Sequence, residues 1–252
     1  MISIICVYNN TDILESCLIE TVRRQDFPFE LILLDNTAGM YSSAATALNC
    51  GAKKAVGDIL VFCHQDIKFE SPYALSLLNG YFERLGDTVI VGPAGKNGDY
   101  TVSNMNHGTE VVGPAGNFFF KDMYKVETLD ECFFAVTSTM FCKMGLDERT
   151  CSGWHLYAVD YCLSVRKTFN SEILVVDIPV FHASDGCSMN ASYYSILKKV
   201  CKKHRRDYHH ISTTMGNFTT NTAFWFCTGK LIKAKIKEIY YRLTGHRLVI
   251  HK

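Results

Sequence analysis

The run Gly57-Asp58-Ile59-Leu60-Val61-Phe62-Cys63-His64-Gln65-Asp66 holds a small turn, a strand with no polar residue inside it, and an abrupt polar triplet. A strand that apolar is buried on both faces, as in a parallel sheet covered by helices. Polar groups at its carboxyl end fall where open α/β sheets bind ligands. His64, Gln65 and Asp66 are therefore expected at the mouth of a cleft.

On either side of this strand, short apolar strands alternate with longer helical patterns. Strands are expected over 2–7 and 30–34, and helices over 13–24 and 43–56. Beyond Pro72 the pattern gives a helix to about Leu85, then a strand over 88–91, and a further strand is expected over 173–181. Residues 92–117, rich in Gly and Asn, read as loop and hairpin lining or capping the cleft. The rhythm implies an α/β class: a parallel, right-handed three-layer α/β/α sandwich.

Composition narrows the setting. With 252 residues, 48% of them hydrophobic, the chain can bury one large core and still carry an appendage. Its eleven cysteines are scattered and form no CxxC pair, so neither a zinc site nor a redox motif is indicated. The opening ISIICVYNN lacks the features of a signal peptide, and no apolar run approaches the roughly 18 residues that cross a bilayer. A reducing cytoplasm is the expected compartment.

The net charge of +1 hides an asymmetry: residues 198–252 hold thirteen Lys and Arg against Asp207 and Glu238, while the rest of the chain is acidic. Residues 196–252 read as a basic helical tail. Leu231, Ile232, Ile236, Ile239, Tyr240 and Leu243 stand opposite Lys230, Lys233 and Lys237 at helical spacing, just after Phe224-Trp225-Phe226. Such a helix suits peripheral contact with an anionic membrane, at about 1 kcal/mol per basic residue near the surface, or packs on the core with its charges solvated. No nucleic-acid partner is expected, because the body is acidic and carries no nucleic-acid motif.

Strand one runs into Val7-Tyr8-Asn9-Asn10 with neither GxGxxG nor GxxxxGK[ST], so the usual phosphate cradles are missing. Asp35, ending strand two, can accept a hydrogen bond from a base or ribose, or can simply close an Asx turn.

The ordered set CVYNN, LILLDNT, ALNCGAKKAVGDILVFCHQD, GLDERTCSGWHLYAVDYC and DIPVFHASDG resembles family 2 glycosyltransferases of the GT-A fold, in particular a bacterial subgroup with HQD in place of DxD. The likeness covers residues 1 to about 190 and rests on the set, since each short motif is weak. It implies a Rossmann-like domain with a mixed, mainly parallel sheet over 1–195, with a nucleotide-binding half over about 1–91 and an acceptor-binding half over 92–195. The implied reaction moves a sugar with inversion from a nucleotide-diphosphate donor, most commonly a UDP-sugar, to a hydroxyl of a glycan or lipid-linked acceptor. Surface polysaccharide or lipid-linked oligosaccharide synthesis at the inner face of the membrane would be its setting. Two alternatives stand beside it: a weakly active nucleotide-sugar-binding partner, and a sugar-phosphate nucleotidyltransferase. Retention of Asp160 and His182 speaks against the first, and the lack of a Gly-rich basic loop after strand one against the second.

Carried over residue by residue, the resemblance puts the nucleotide on Val7, Tyr8, Asn9, Asp35, Asn49, Gly51, His64 and Gln65. Asp66 and His182 are the implied ligands of a divalent cation, Mn²⁺ or Mg²⁺, bridging the phosphates. His64 stands where the family has an acid, so it contacts metal, phosphate, or only its structural neighbours. Asp130 is implied on the sugar or acceptor side, or is a loop residue; Trp154 and His155 form a sugar platform or belong to the core. Asp160, matching the last acid of the ED motif although Val159 replaces the Glu, is the expected general base.

Overall fold

In the computed structural model, residues 1–186 and 189–244 are described. The chain begins β1 (Ile2–Tyr8), α1 (Thr11–Leu14), a π-helical turn (Glu15–Ile19), α2 (Glu20–Val22), β2 (Phe29–Asp35), α3 (Ala44–Ala52) and β3 (Ile59–Cys63). It continues through β4 (Ile67–Phe69), α4 (Ala74–Leu85), β5 (Val89–Gly92), β6 (Ala94–Asn97), β7 (Tyr100–Ser103), β8 (Asn106–His107), β9 (Gly113–Pro114), β10 (Met123–Lys125), β11 (Thr128–Leu129) and β12 (Phe133–Thr137). There follow α5 (Ser138–Lys143), α6 (Tyr157–Phe169), β13 (Glu172–Val176), β14 (Val180–His182), α7 (Ala191–His204), β15 (His210–Thr213), β16 (Gly216–Thr219) and α8 (Ala223–Thr244).

The main sheet has the order β10-β13-β5-β12-β3-β1-β2. Strands β2, β1 and β3 pair in parallel, as do β13 and β5, while β12 runs antiparallel between β3 and β5 and β10 antiparallel to β13. All five residues of β3 are buried, as its apolar run requires. Its side chains alternate between two cores. Leu60 and Phe62 face a core that includes α3, α6 and α7, where the Phe62 ring stacks on Phe134 at 4.9 Å. Val61 and Cys63 face the core covered by the helical segment 11–22 and by α4.

Two expectations need correcting. The strand expected over 173–181 is two strands in different sheets: β13 lies in the main sheet, whereas β14 pairs with β4 and β8 in a small four-stranded one. Pro179 has no N–H for a ladder, and the chain turns at Asp177-Ile178-Pro179. The boundary expected at 195–196 falls inside α7, whose Tyr193, Ile196, Leu197, Val200 and Cys201 belong to the same core as α6. The tail becomes surface helix only within α8. Residues 245–252 of the expected tail lie outside the described residues.

Asp160, at 1% exposure, forms the joint between α6 and α7. Its Oδ1 lies 2.8 Å from His204 Nε2 and its Oδ2 accepts from Lys203 Nζ at 2.7 Å; Lys203 also reaches Asp147 at 3.0 Å. Removing one partner of a buried charge cluster leaves the others uncompensated. Asp160→Ala is therefore expected to destabilise the fold by about 3–5 kcal/mol, read as a lower Tm, and an unchanged Tm would remove this joint from the account.

Candidate active site

The carboxyl ends of β1, β2 and β3 open on a cavity of about 550 Å³ lined by Val7, Tyr8, Asn9, Asn36, Thr37, Gly39, Ala44, His64, Gln65, Asp66, Trp154 and Tyr157. A second cavity of about 470 Å³ shares His64, Asp66 and Trp154 with it and continues past Asp130, Glu131, His155, His182, Tyr193 and Thr214. The two are halves of one cleft, joined at the polar end of β3.

Gln65 works on the protein itself. Its Oε1 accepts from the backbone N–H groups of Asn9 and Asn10 at 3.0 and 3.1 Å, and its Nε2 donates to Asn9 Oδ1 at 3.0 Å. The side chain thereby fixes the β1–α1 turn as one wall of the first cavity. Asp35 forms the Asx turn foreseen as the simpler reading: Oδ1 accepts from the Thr37 N–H at 2.8 Å and hydroxyl at 2.7 Å, which hold the carboxyl below its usual range. Asp35 stands at the rim while Asn36, Thr37 and Gly39 line the cavity.

Asn49 and Gly51 lie away from the cleft and act in packing. The Asn49 amide ties α3 to the 146–148 segment through Leu146 and Glu148. A Cβ on Gly51 would meet Ile5 Cγ2 at 2.5 Å, so glycine lets α3 lie close on β1. Asp160 is likewise outside both halves of the cleft, its carboxylate occupied at the α6–α7 joint. The expected base is thus not in reach of a substrate there. The helix turn that carries Asp160 toward α7 leaves Tyr157, one turn earlier, at the cleft.

His64 converges with Asp66 and His182, the two residues implied as cation ligands. One ligand atom from each lies within 4.8 Å of the others, and among the described residues they are the group of three able to hold a metal ion. Asp66 Oδ1 and His182 Nε2 lie 3.3 Å apart as an ion pair; both atoms are buried, and beyond each other neither has a hydrogen-bond partner among the described residues. Buried polar atoms of this kind call for a partner, and a carboxylate oxygen with imidazole nitrogens is a donor set for a divalent transition ion. His64 Nε2 is 3.1 Å from the Tyr157 hydroxyl, and burial keeps this imidazole below its ordinary pKa, hence neutral and able to ligate. Burial also opposes the charge on His182, but the Asp66 carboxylate outweighs it and raises that group.

In the second half, Asp130 Oδ1 accepts from the Cys132 N–H at 2.9 Å and its Oδ2 from the Thr214 hydroxyl at 2.5 Å. Burial alone would raise this carboxyl, yet these donors bring it below the ordinary value. Trp154, 39% exposed, stands where the halves meet, and the His155 ring packs 5.6 Å from Tyr193. Leu156 adopts a left-handed conformation, φ 64°, which a branched side chain rarely takes. It begins α6 so that the Tyr157 hydroxyl donates to the Glu131 carbonyl at 3.2 Å. Glu131, Tyr157 and Thr214 are cleft residues that the sequence reading missed. For Glu131 the signal was two adjacent acids just before the apolar run Cys132–Val136; Thr214, in a hairpin turn more than eighty residues away, gave none.

No family model matches the chain and no curated protein resembles it in sequence. Solved structures do resemble it in fold. The mannosyltransferase PcManGT from Pyrobaculum calidifontis, in complex with GDP-Man and Mn²⁺, superposes with a TM-score of 0.56 at 12% identity, over 97% of this chain and 76% of that one. S. aureus TarS 1–349 in complex with UDP-GlcNAc gives 0.56 at 11% identity, over 96% and 75%. The same protein with UDP gives 0.53 at 13%, over 97% and 73%. With its mixed, mainly parallel sheet and the cleft at the end of β3, the chain has the fold of the GT-A glycosyltransferases.

Proposed function

We propose that the protein is an inverting glycosyltransferase that moves a sugar from a nucleotide-diphosphate donor, UDP-linked, to an acceptor hydroxyl in surface polysaccharide or lipid-linked oligosaccharide synthesis. The observation that carries this reading is the convergence of His64, Asp66 and His182 where the two halves of the cleft meet. Inversion needs the leaving diphosphate and the attacking hydroxyl on opposite sides of the anomeric carbon, and two abutting cavities supply two such sides. The fold neighbours that hold GDP-Man, UDP-GlcNAc and Mn²⁺ support the same donor class.

The cavity of Val7, Tyr8 and Asn9 takes the nucleotide, with Asp35 at its rim toward base or ribose. His64, Asp66 and His182 hold the cation, and two imidazoles beside one carboxylate favour Mn²⁺ over Mg²⁺. When bound, such an ion would neutralise the charge that builds on the departing diphosphate. The cavity of Asp130, Trp154 and His155 takes the sugar and the acceptor, Trp154 offering an apolar ring face to a pyranose. Asp160 lends no weight to catalysis or to its loss, because its carboxylate is committed to the α6–α7 joint.

We further propose that α8 lies on an anionic bilayer. Trp225 is 76% and Leu243 80% exposed, and Ile232, Ile236 and Ile239 are exposed along the same helix. Lys230, Lys233, Lys235 and Lys237 are interleaved with them, and that density of one charge fits anionic headgroups better than a second copy of the helix. No helix among the described residues is long and apolar enough to cross a membrane.

Three outcomes are expected. A UDP-sugar raises the Tm more with Mn²⁺ than with EDTA, since a ligand bound only to the folded state stabilises it; in Asp66→Asn the difference between the two conditions disappears. A metal-independent shift in the native chain would sink the cation site. Across a panel of UDP- and GDP-sugars, at least one donor releases nucleoside diphosphate in a protein-dependent way, and silence across the panel would overturn the transferase reading. The full chain sediments with phosphatidylserine vesicles at low salt, weakly at high salt, and less as Trp225→Ala/Ile236→Glu. Equal binding to neutral vesicles, or self-association of the free chain through α8, would refute the membrane contact.

A further inference from the structure

We propose that Glu131 is the general base of the transfer, taking the proton of the acceptor hydroxyl as that oxygen attacks the anomeric carbon. The proposal rests on the transferase reading above. The base is a real gap there, because Asp160 is committed elsewhere and each carboxylate oxygen of Asp130 already accepts a hydrogen bond, one from the Cys132 N–H and one from the Thr214 hydroxyl. A carboxylate so engaged, with its proton affinity depressed, makes a poor base.

Glu131 is its opposite in each respect. It lines the acceptor half of the cleft, and its Oε1 is buried with no hydrogen bond among the described residues. Such an atom in a cavity wall is costly to fold around unless a ligand completes it. Position also fits. Glu131 lies two residues before Phe133, the first residue of β12, which pairs with Cys63 at the end of β3, so it stands beside the end of the sheet that carries the proposed metal group without belonging to that group. The Tyr157 hydroxyl anchors its backbone carbonyl, which fixes where the side chain starts.

The titratable groups close enough to feel the Glu131 charge are Asp130, Cys132, Cys151, Tyr157, Cys162 and Tyr193. Across the cavity stand His64, Asp66, His107, His155, His182 and Asp185, and among the described residues no Lys or Arg lines this half. Burial first, and the Asp130 charge second, push the Glu131 carboxyl up to about 8; the Leu156 N–H opposes the rise without cancelling it. A base of that strength lies near the operating pH, where general-base transfer is most effective.

The step balances without a further reagent. The hydroxyl proton passes to the Glu131 carboxylate and the hydroxyl oxygen bonds to the anomeric carbon. The bond from that carbon to the diphosphate breaks, with both electrons leaving on the phosphate oxygen. Turnover should therefore rise with pH as Glu131 ionises. Stability runs the other way: a carboxyl raised in the folded state stabilises below its ordinary range and loses that contribution as pH climbs toward its folded value.

The deciding experiment compares the full-length chain with E131Q and E131D, using the nucleotide sugar found active in the panel above, with Mn²⁺. E131Q is expected to keep the donor-induced thermal shift while nucleoside diphosphate release falls about 100-fold or more. The alkaline rise in rate should vanish with it. Its Tm relative to the native chain should increase between about pH 5 and pH 8, because glutamine has no proton to lose. E131D, with a shorter carboxylate, should retain part of the rate and an alkaline rise. Native-like turnover in E131Q overturns the base assignment and leaves the transferase reading standing. Loss of the donor shift in E131Q also overturns it, by making Glu131 a donor contact. If E131Q does not melt cooperatively, E131D decides: full rate with an unmoved pH profile overturns the proposal. A native chain inert toward every nucleotide sugar removes both readings together.

Discussion

The backbone N–H of His64 donates to the carbonyl of Cys132 at 2.9 Å, and this bond continues the β3–β12 ladder past the point where β3 runs out. The cleft is organised around it. β3 arrives carrying His64, Gln65 and Asp66, and β12 departs in the opposite direction just after Asp130 and Glu131. An antiparallel strand inserted in a mainly parallel sheet is what brings the end of one segment against the beginning of another seventy residues later. A parallel neighbour would present its own carboxyl end instead, and the two acids would lie at the far side of the sheet.

Around that meeting point the protein separates polar groups by how fully they are satisfied. Gln65, Asn49, Asp35, Asp130 and Asp160 are engaged by backbone donors, hydroxyls or cations of the chain, and each holds a loop or a helix joint. Asp66, His182 and Glu131 have buried atoms with no such partner beyond the contact of Asp66 with His182. Because burying a polar atom unpaired costs free energy, the second set is where a ligand contributes most. That distinction, rather than residue type, separates the carboxylates that hold the fold from those left open to a ligand.

Helix α6 illustrates how a small geometric device redirects chemistry. Leu156 in the left-handed region sets the start of the helix, so that Tyr157 reaches toward His64 and Glu131 while Asp160 meets Lys203 and His204 on α7. The same packing draws α7 into the core, so the basic region is a built-in helix followed by a surface helix, and the tail expected from composition begins later than its charge suggests.

Periodicity and apolar runs in the sequence determined the α/β class, the burial of β3 and, β4 apart, the order of strands β1, β2, β3 and β5 with the helices between them, because those depend on side-chain pattern over a few residues. The grouping of His64, Asp66 and His182 was legible only through motif likeness, since no local rule links residues more than a hundred positions apart. The tertiary structure alone decided what each carboxylate does. Asp160 and Glu131 are both acids beside apolar runs, and their sequence surroundings do not tell them apart. One is met by a lysine and a histidine from α7, and the other faces a cavity with no lysine or arginine in its wall among the described residues. Charge partners come from elements distant in the chain, so proton affinity, and with it chemical role, is a property of the fold.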